Sequence, residues 1–251
     1  MSDEISASTE REGRGAERPL VSALICVHNG ARFLPDSIGS VFAQDYAPIE
    51  LIVIENGSTD GSLEVARRLA PDADVSGHPH LTLADGRNQA LSRASGEWIS
   101  FLDADDLWPV GRTSALIEAA GAAPGVKLVF GDLETFRCPL QGPAEHRKLP
   151  EPELKRALLP SSGMVHRDVF AATGPFDRDY GLAEWGEWLM RVRSHHFVER
   201  RIDEMTLRRR LHTQSLTFCN PHDHRDYARA MLKGLRERRE AAAEAESERR
   251  R

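Results

Sequence analysis

Asp103, Asp105 and Asp106 fall within four residues, directly after the apolar run Trp98-Ile-Ser-Phe-Leu. Side chains two apart on an extended strand share a face, so Asp103 and Asp105 are predicted to point the same way. Two carboxylates that close resist joint ionisation unless a cation lies between them. Mg²⁺ or Mn²⁺ is commonly held by one or two carboxylates while diphosphate oxygens and water complete the shell, and this cluster suits that chemistry. The alternative is structural: aspartates also cap helices and form turns, and Asp106 is placed to cap the helix that follows. A calcium loop of the EF-hand type is excluded, because Leu107 occupies the next ligand position and no glycine follows.

Four other segments carry reactive or recognising groups. Glu55-Asn56-Gly57-Ser58-Thr59-Asp60 has the composition of a tight turn, yet a carboxylate and an amide at the end of a buried strand also match a planar base edge. His28 reads either as an ordinary loop histidine or as a ring that stacks on a nucleobase. In Ala183-Glu184-Trp185-Gly186-Glu187-Trp188, acids stand among large aromatics. A glutamate in such a partly desolvated place suits a general base, and an amphipathic helix with acids outward explains the same residues. Arg208-Arg209-Arg210-Leu211-His212 offers cations to a diphosphate, or simply a solvated basic face. The histidine pairs elsewhere lack carboxylate partners at a zinc-binding spacing.

The elements that position these groups alternate. Strands are predicted at Val21 to Val27, Glu50 to Ile54, Asp74 to Ser76, Glu97 to Leu102 and Val126 to Phe130. Between them lie helices at Arg32 to Gln44, Ser62 to Leu69, Gly86 to Ala94 and Gly111 to Ala120. This order implies an α/β fold, a mostly parallel central sheet flanked by helices, with ligands at the carboxyl ends of the strands. Residues from Cys138 to Pro160 read as a surface excursion, and packed character returns at Gly163 to Val169 and Phe176 to Arg193. Residues 1–18 read as a disordered leader, and 222–251 as a charged C-terminal helical tail docked through Tyr227, Met231 and Leu235. One domain is expected over 19–221.

The 251 residues are 40% hydrophobic, ample for a core of that size. A formal charge of −6 argues against a protein that grips long nucleic-acid backbones. Cys26, Cys138 and Cys219 are odd in number and widely spaced, so neither a disulfide framework nor a Cys-x-x-Cys site is implied. No apolar run approaches the ~20 residues of a membrane helix, and the amino terminus is acidic and polar. A cytoplasmic protein is the expectation.

Five segments in order, VSALICVHNGARFLPDSIGSVFAQ, ELIVIENGSTDGS, GRNQALSRASGEWISFLDADDLW, GPFDRDYGLAEWGEWL and RRRLHTQSLT, resemble the family 2 glycosyltransferases of the GT-A, Rossmann-like fold. The resemblance covers about residues 20 to 218. It implies a single GT-A domain, 19–132 forming the nucleotide-sugar half and 133–221 the acceptor half. It implies a UDP-sugar donor, a divalent cation (Mn²⁺ or Mg²⁺) and inverting transfer to an acceptor nucleophile whose class, saccharide, lipid, small molecule or peptide, stays open. By the same resemblance His28 takes the place of a base-packing aromatic, and Asn56 falls where an aspartate recognises uracil. Cys26, Asn29, Glu55, Arg87 and Ala104 join the nucleotide-sugar site. Asp103 and Asp105 match the Asp-x-Asp metal motif, and His212 sits near the diphosphate as a further candidate ligand. Glu184 matches the catalytic base, with Glu187 as its rival.

This sequence departs from the family pattern at Glu55-Asn56, where Asp-Asp is common, at Cys26, where proline is frequent, and at Ala-Glu-Trp-Gly-Glu-Trp, where Glu-Asp-Trp is frequent. Ser161, Ser162 and Trp185 are expected to line the acceptor pocket. Two competing readings remain: a sugar-nucleotide binding module without turnover, and a sugar nucleotidyltransferase. The second calls for a Gly-rich basic loop after the first strand, where this chain has His28-Asn29-Gly30-Ala31-Arg32.

Overall fold

The computed structural model describes residues 18–79, 81–156 and 158–219, together with Leu232. The leader except Arg18, and the docking helix expected through Tyr227, Met231 and Leu235, lie outside the described residues.

Four parallel strands build the first half: β1 (Val21–Val27), β2 (Ile49–Glu55), β3 (Asp74–Gly77) and β4 (Trp98–Asp103). β1 lies between β2 and β4, and its register sets Val27 beside Glu55 and Cys26 beside Asp103. Helices α1 (Leu34–Phe42), α2 (Ser62–Leu69), α3 (Leu83–Arg93) and α4 (Arg112–Gly121) connect them and cover both faces. That coverage is why β1 and β2 read as continuous apolar runs rather than alternating ones. Leu24, Ile52, Ile54 and Phe101 pack toward one layer, and Ala23, Ile25, Val53 and Leu102 toward the other with Leu34, Ile38 and Val41 of α1.

α3 begins three residues before its predicted start. Thr82 caps it through a reciprocal box with Asp85, whose side chain reaches back to the Thr82 amide. A Thr-x-x-Asp sequence is a weaker signal than Thr-x-x-Glu, and Gly86 inside the helix masks it further.

The second half makes the sheet mixed. β5 (Val126–Arg137) runs well past its predicted end at Phe130, followed by α5 (Pro143–His146) and β6 (Leu154–Arg156) within the predicted excursion. β7 (Gly163–His166) pairs antiparallel with both β4 and β5. α6 (Arg167–Thr173) and α7 (Glu184–Ser194) then pack on the sheet, where Trp185 and Trp188 join Phe170 and Phe176 in the larger core. β8 (Val198–Leu211), a 14-residue strand absent from the sequence reading, pairs parallel with β5, and α8 (Leu216–Cys219) follows. Most of the first half of β8 is charged, so it shows little of the apolar alternation by which a strand is read. The strand order is β3-β2-β1-β4-β7-β5-β6, with β8 on β5. Among the described residues no helix is long and apolar enough to cross a membrane.

Candidate active site

The carboxyl ends of β1, β2 and β4 lie side by side, so the turns after them form one site. β4 stops at Asp103 and the chain turns at Ala104-Asp105, which corrects the shared-face expectation. The two carboxylates part. Asp103 Oδ1 accepts from Arg87 Nη2 at 3.0 Å, while Asp105 Oδ2 lies 2.8 Å from His212 Nε2. Asp103 is anchored from behind, its amide donating to Ser161 Oγ at 3.2 Å. Ala104 packs partly buried against the core on the α1 side.

Asp106 does not cap the next helix, whose N-cap is Gly111. It is buried, and its Oδ1 accepts the backbone N–H of Arg210 at 2.8 Å. Burial, then the charges of Asp105 and Asp103, push its carboxyl well above the ordinary range. Arg210 also donates from Nε to the Asp105 carbonyl and from Nη2 to Asp36, each at 2.8 Å. It is thus a buried brace for the Asp105 turn, not a solvated member of a basic face. The available signal was its place near the end of β8, two residues before His212, which lies just past the strand.

His212 is buried, rests against the Phe33 ring with centroids 4.6 Å apart, and has a buried Nδ1 without a hydrogen-bond partner. Among the described residues no group of three or more His, Cys, Asp or Glu side chains is arranged to hold a metal. Asp105 and His212 supply two donors, a carboxylate and an imidazole.

Beyond β1, exposed His28 is held at both ring nitrogens. Its Nδ1 is 2.7 Å from the Asn56 carbonyl, and its Nε2 is 3.1 Å from Asn29 Nδ2. Asn29 takes a positive φ of 51° and ties this turn to the next, its Oδ1 accepting from the Thr59 amide at 2.9 Å. Gly30 is required here, since a Cβ would stand 2.7 Å from Val27 Cγ2. Buried Glu55 accepts the Ser58 amide and so closes the turn after β2. The Asn56 carboxamide pairs with the backbone of Leu81 at both ends.

Arg87 is the centre of the site's charge arrangement. Nearly buried on α3, it reaches Asp103 with Nη2 and Glu184 Oε1 with Nη1. Burial alone would lower its pKa, and the two carboxylates outweigh that and raise it. Glu184, the first residue of α7, is fully buried, and its Oε2 has no hydrogen-bond partner. Burial raises its pKa; Arg87 and the amides of Glu184 and Trp185 oppose the rise without cancelling it. Burial likewise pushes the Cys26 thiol up to about 12, so it stays protonated beside Arg87.

Glu187, one turn along α7, is committed elsewhere. Both its oxygens accept from Arg191, at 2.8 and 3.0 Å, and Arg191 also donates to the carbonyls of Thr173 and Pro175. The structure therefore brings Glu184, not Glu187, to the Asp103 cluster. Ser161 and Ser162 are fully buried and Trp185 donates Nε1 to the Leu158 carbonyl at 2.7 Å, so these three form the backing of the site rather than an open acceptor wall.

A parallel half-sheet whose strand ends present this acidic turn, joined to a mixed second half carrying β8, defines a GT-A fold. The chain belongs to glycosyl transferase family 2, whose model matches residues 22–171. It is 28% identical over 184 residues to alr2836, an uncharacterized glycosyltransferase of Nostoc sp., an alignment covering 67% of this chain and 56% of that protein. The chain thus matches little more than half the length of that relative. Among solved structures it is similar to the mannosyltransferase PcManGT from Pyrobaculum calidifontis in complex with GDP-Man and Mn²⁺ (TM-score 0.66, 20% identity, 88% of this chain and 65% of that one). It is also similar to S. aureus TarS 1-349 in complex with UDP (TM-score 0.62, 14% identity, 84% and 63%).

Proposed function

We propose that the chain transfers a glycosyl group, with inversion, from a nucleoside diphosphate sugar to an acceptor nucleophile, with a UDP-sugar as first choice of donor. One observation carries this reading: a single guanidinium, Arg87, joins Asp103 at the mouth of the donor site to a buried carboxylate, Glu184, whose second oxygen is unpartnered. The complexes of TarS with UDP and of PcManGT with GDP-Man support the donor class.

Asp105 and His212 would hold a divalent cation, with Asp103 beside them. Two protein groups, a carboxylate and an imidazole whose Nδ1 is orphaned, fit an ion such as Mn²⁺ or Mg²⁺, which commonly takes few protein ligands. When bound, such an ion neutralises the charge that gathers on the departing diphosphate. The chain's own groups do the rest. His28 offers a pinned, exposed ring for the base to stack on, and Glu55 and Asn29 hold the turns that shape the pocket. Glu184 Oε2 takes the proton of the acceptor hydroxyl as its oxygen bonds to the anomeric carbon, and the bond from that carbon to the diphosphate oxygen breaks with its electron pair. A raised pKa makes the Glu184 carboxylate a stronger base than an exposed glutamate.

The test is release of nucleoside diphosphate from a UDP-sugar with Mn²⁺ and an acceptor pool, for the wild type and for Glu184→Gln. Release abolished in the variant supports the reading. The complete burial of Glu184 favours the rival, a binding module without turnover. Its signature is tight UDP binding with no release from any pool.

A further inference from the structure

The end of β2 and the start of α3 are joined by one side chain. Asn56 Nδ2 donates to the Leu81 carbonyl and Asn56 Oδ1 accepts the Leu81 N–H, each at 2.5 Å. The carboxamide thus pairs with a peptide group as a neighbouring strand would. Its orientation is dictated, because turning it over would set N–H against N–H and oxygen against oxygen. Leu81 immediately precedes Thr82, the capping residue of α3, and α3 carries Arg87. Arg178 grips the same helix start through Asp85 at 2.7 Å. The Asn56 carbonyl meanwhile receives His28.

We infer that Asn56 is a positioning residue rather than a reader of the nucleobase: it clasps Leu81, and through it fixes the start of α3 and the wall of the base pocket. Resting on the proposed donor site, this assigns base discrimination to groups other than the Asn56 side chain. Aspartate in its place has no proton to give. One bond to Leu81 would survive and a carboxylate oxygen would face the Leu81 carbonyl, so the clasp needs the amide that this chain has.

UDP and CDP separate the roles, because their rings have the same size and differ in the hydrogen-bonding edge. Affinity for each is measured by calorimetry with Mn²⁺ for the wild type, Asn56→Asp and Asn56→Ala, with a melting temperature for each. A clasp lowers both affinities together, by about tenfold as for a buried partner left unmatched, and keeps the UDP-to-CDP ratio within about twofold. A ratio that moves beyond that in either variant overturns the inference, as does unchanged affinity in both. Should Asn56→Ala fail to fold, the isosteric Asn56→Asp decides alone. Absence of nucleotide binding by the wild type would instead overturn the proposed function.

Discussion

Asp105 and His212 stand 107 positions apart in the chain and meet side chain to side chain, Oδ2 to Nε2, at 2.8 Å. The contact exists because β8 returns beside β5 and brings its last residues back over the turn after β4, where Leu107 and Arg208 exchange two backbone hydrogen bonds.

If this pair holds the cation, each half is needed. Asp105→Asn and His212→Ala should each weaken Mn²⁺-dependent UDP binding by at least about tenfold, the lower bound when even an outer partner of a metal site is removed. Titrating Mn²⁺ into the protein with UDP present measures this. Binding by either variant with wild-type Mn²⁺ dependence would remove that residue from the site. EDTA should lower wild-type UDP affinity to the variants' level.

Glu184→Gln keeps the shape of the side chain and a hydrogen-bonding oxygen for Arg87 while removing the proposed base. Turnover should fall by about 10²–10⁴-fold with UDP affinity within a few-fold of wild type. Glu187→Gln should leave turnover within a few-fold, since Glu187 is spent on Arg191. A larger loss from the second substitution than from the first would reverse the assignment.

Arg87→Met leaves Glu184 buried without its cation. Breaking a buried pair from one side costs about 3–5 kcal/mol, to be read from urea unfolding. The pH dependence follows in sign. The folded-state pKa of Glu184 is raised, so its active carboxylate form is lost as pH falls through that value, and turnover declines there. Without Arg87, which opposes the rise, the acid limb should move to higher pH. Stability moves the other way: the unfolded chain ionises this group first, so stability falls as pH climbs from the ordinary carboxylate range through the raised value, more steeply in the variant. An acid limb that does not move would show that Arg87 leaves the base untouched.

Trp188 is fully buried and stacks on Phe170 at a centroid distance of 4.5 Å, also touching Trp185 and Phe176. Trp188→Ala should destabilise the fold by about 3–5 kcal/mol. Because α7 also carries Glu184, the variant should lose turnover at temperatures where the chain is still folded. Thermal unfolding and activity measured on one sample would test the linkage.

Much of the first half of the fold was legible in sequence because its signals are local. Buried parallel strands are continuous apolar runs, α2 matched its predicted bounds, and the turns after β1, β2 and β4 announced themselves by composition. The later half was less legible. β8 is a charged strand recognisable only from its long pairing with β5, and the start of α3 hid behind an aspartate in its capping box.

The sequence by itself determined which groups are present, and it placed His28, Asn56, Asp103 and Asp105 at the ends of strands that local patterning could name. Tertiary structure decided their partners. A turn at Ala104 sends Asp103 toward Arg87 and Asp105 toward His212, Arg87 takes Glu184 while Arg191 takes Glu187, and Asn56 closes on Leu81. Most of these contacts join residues far apart in the chain. They depend on strand register and helix docking, which are settled by the burial of a shared core and not by the spacing of the residues that meet.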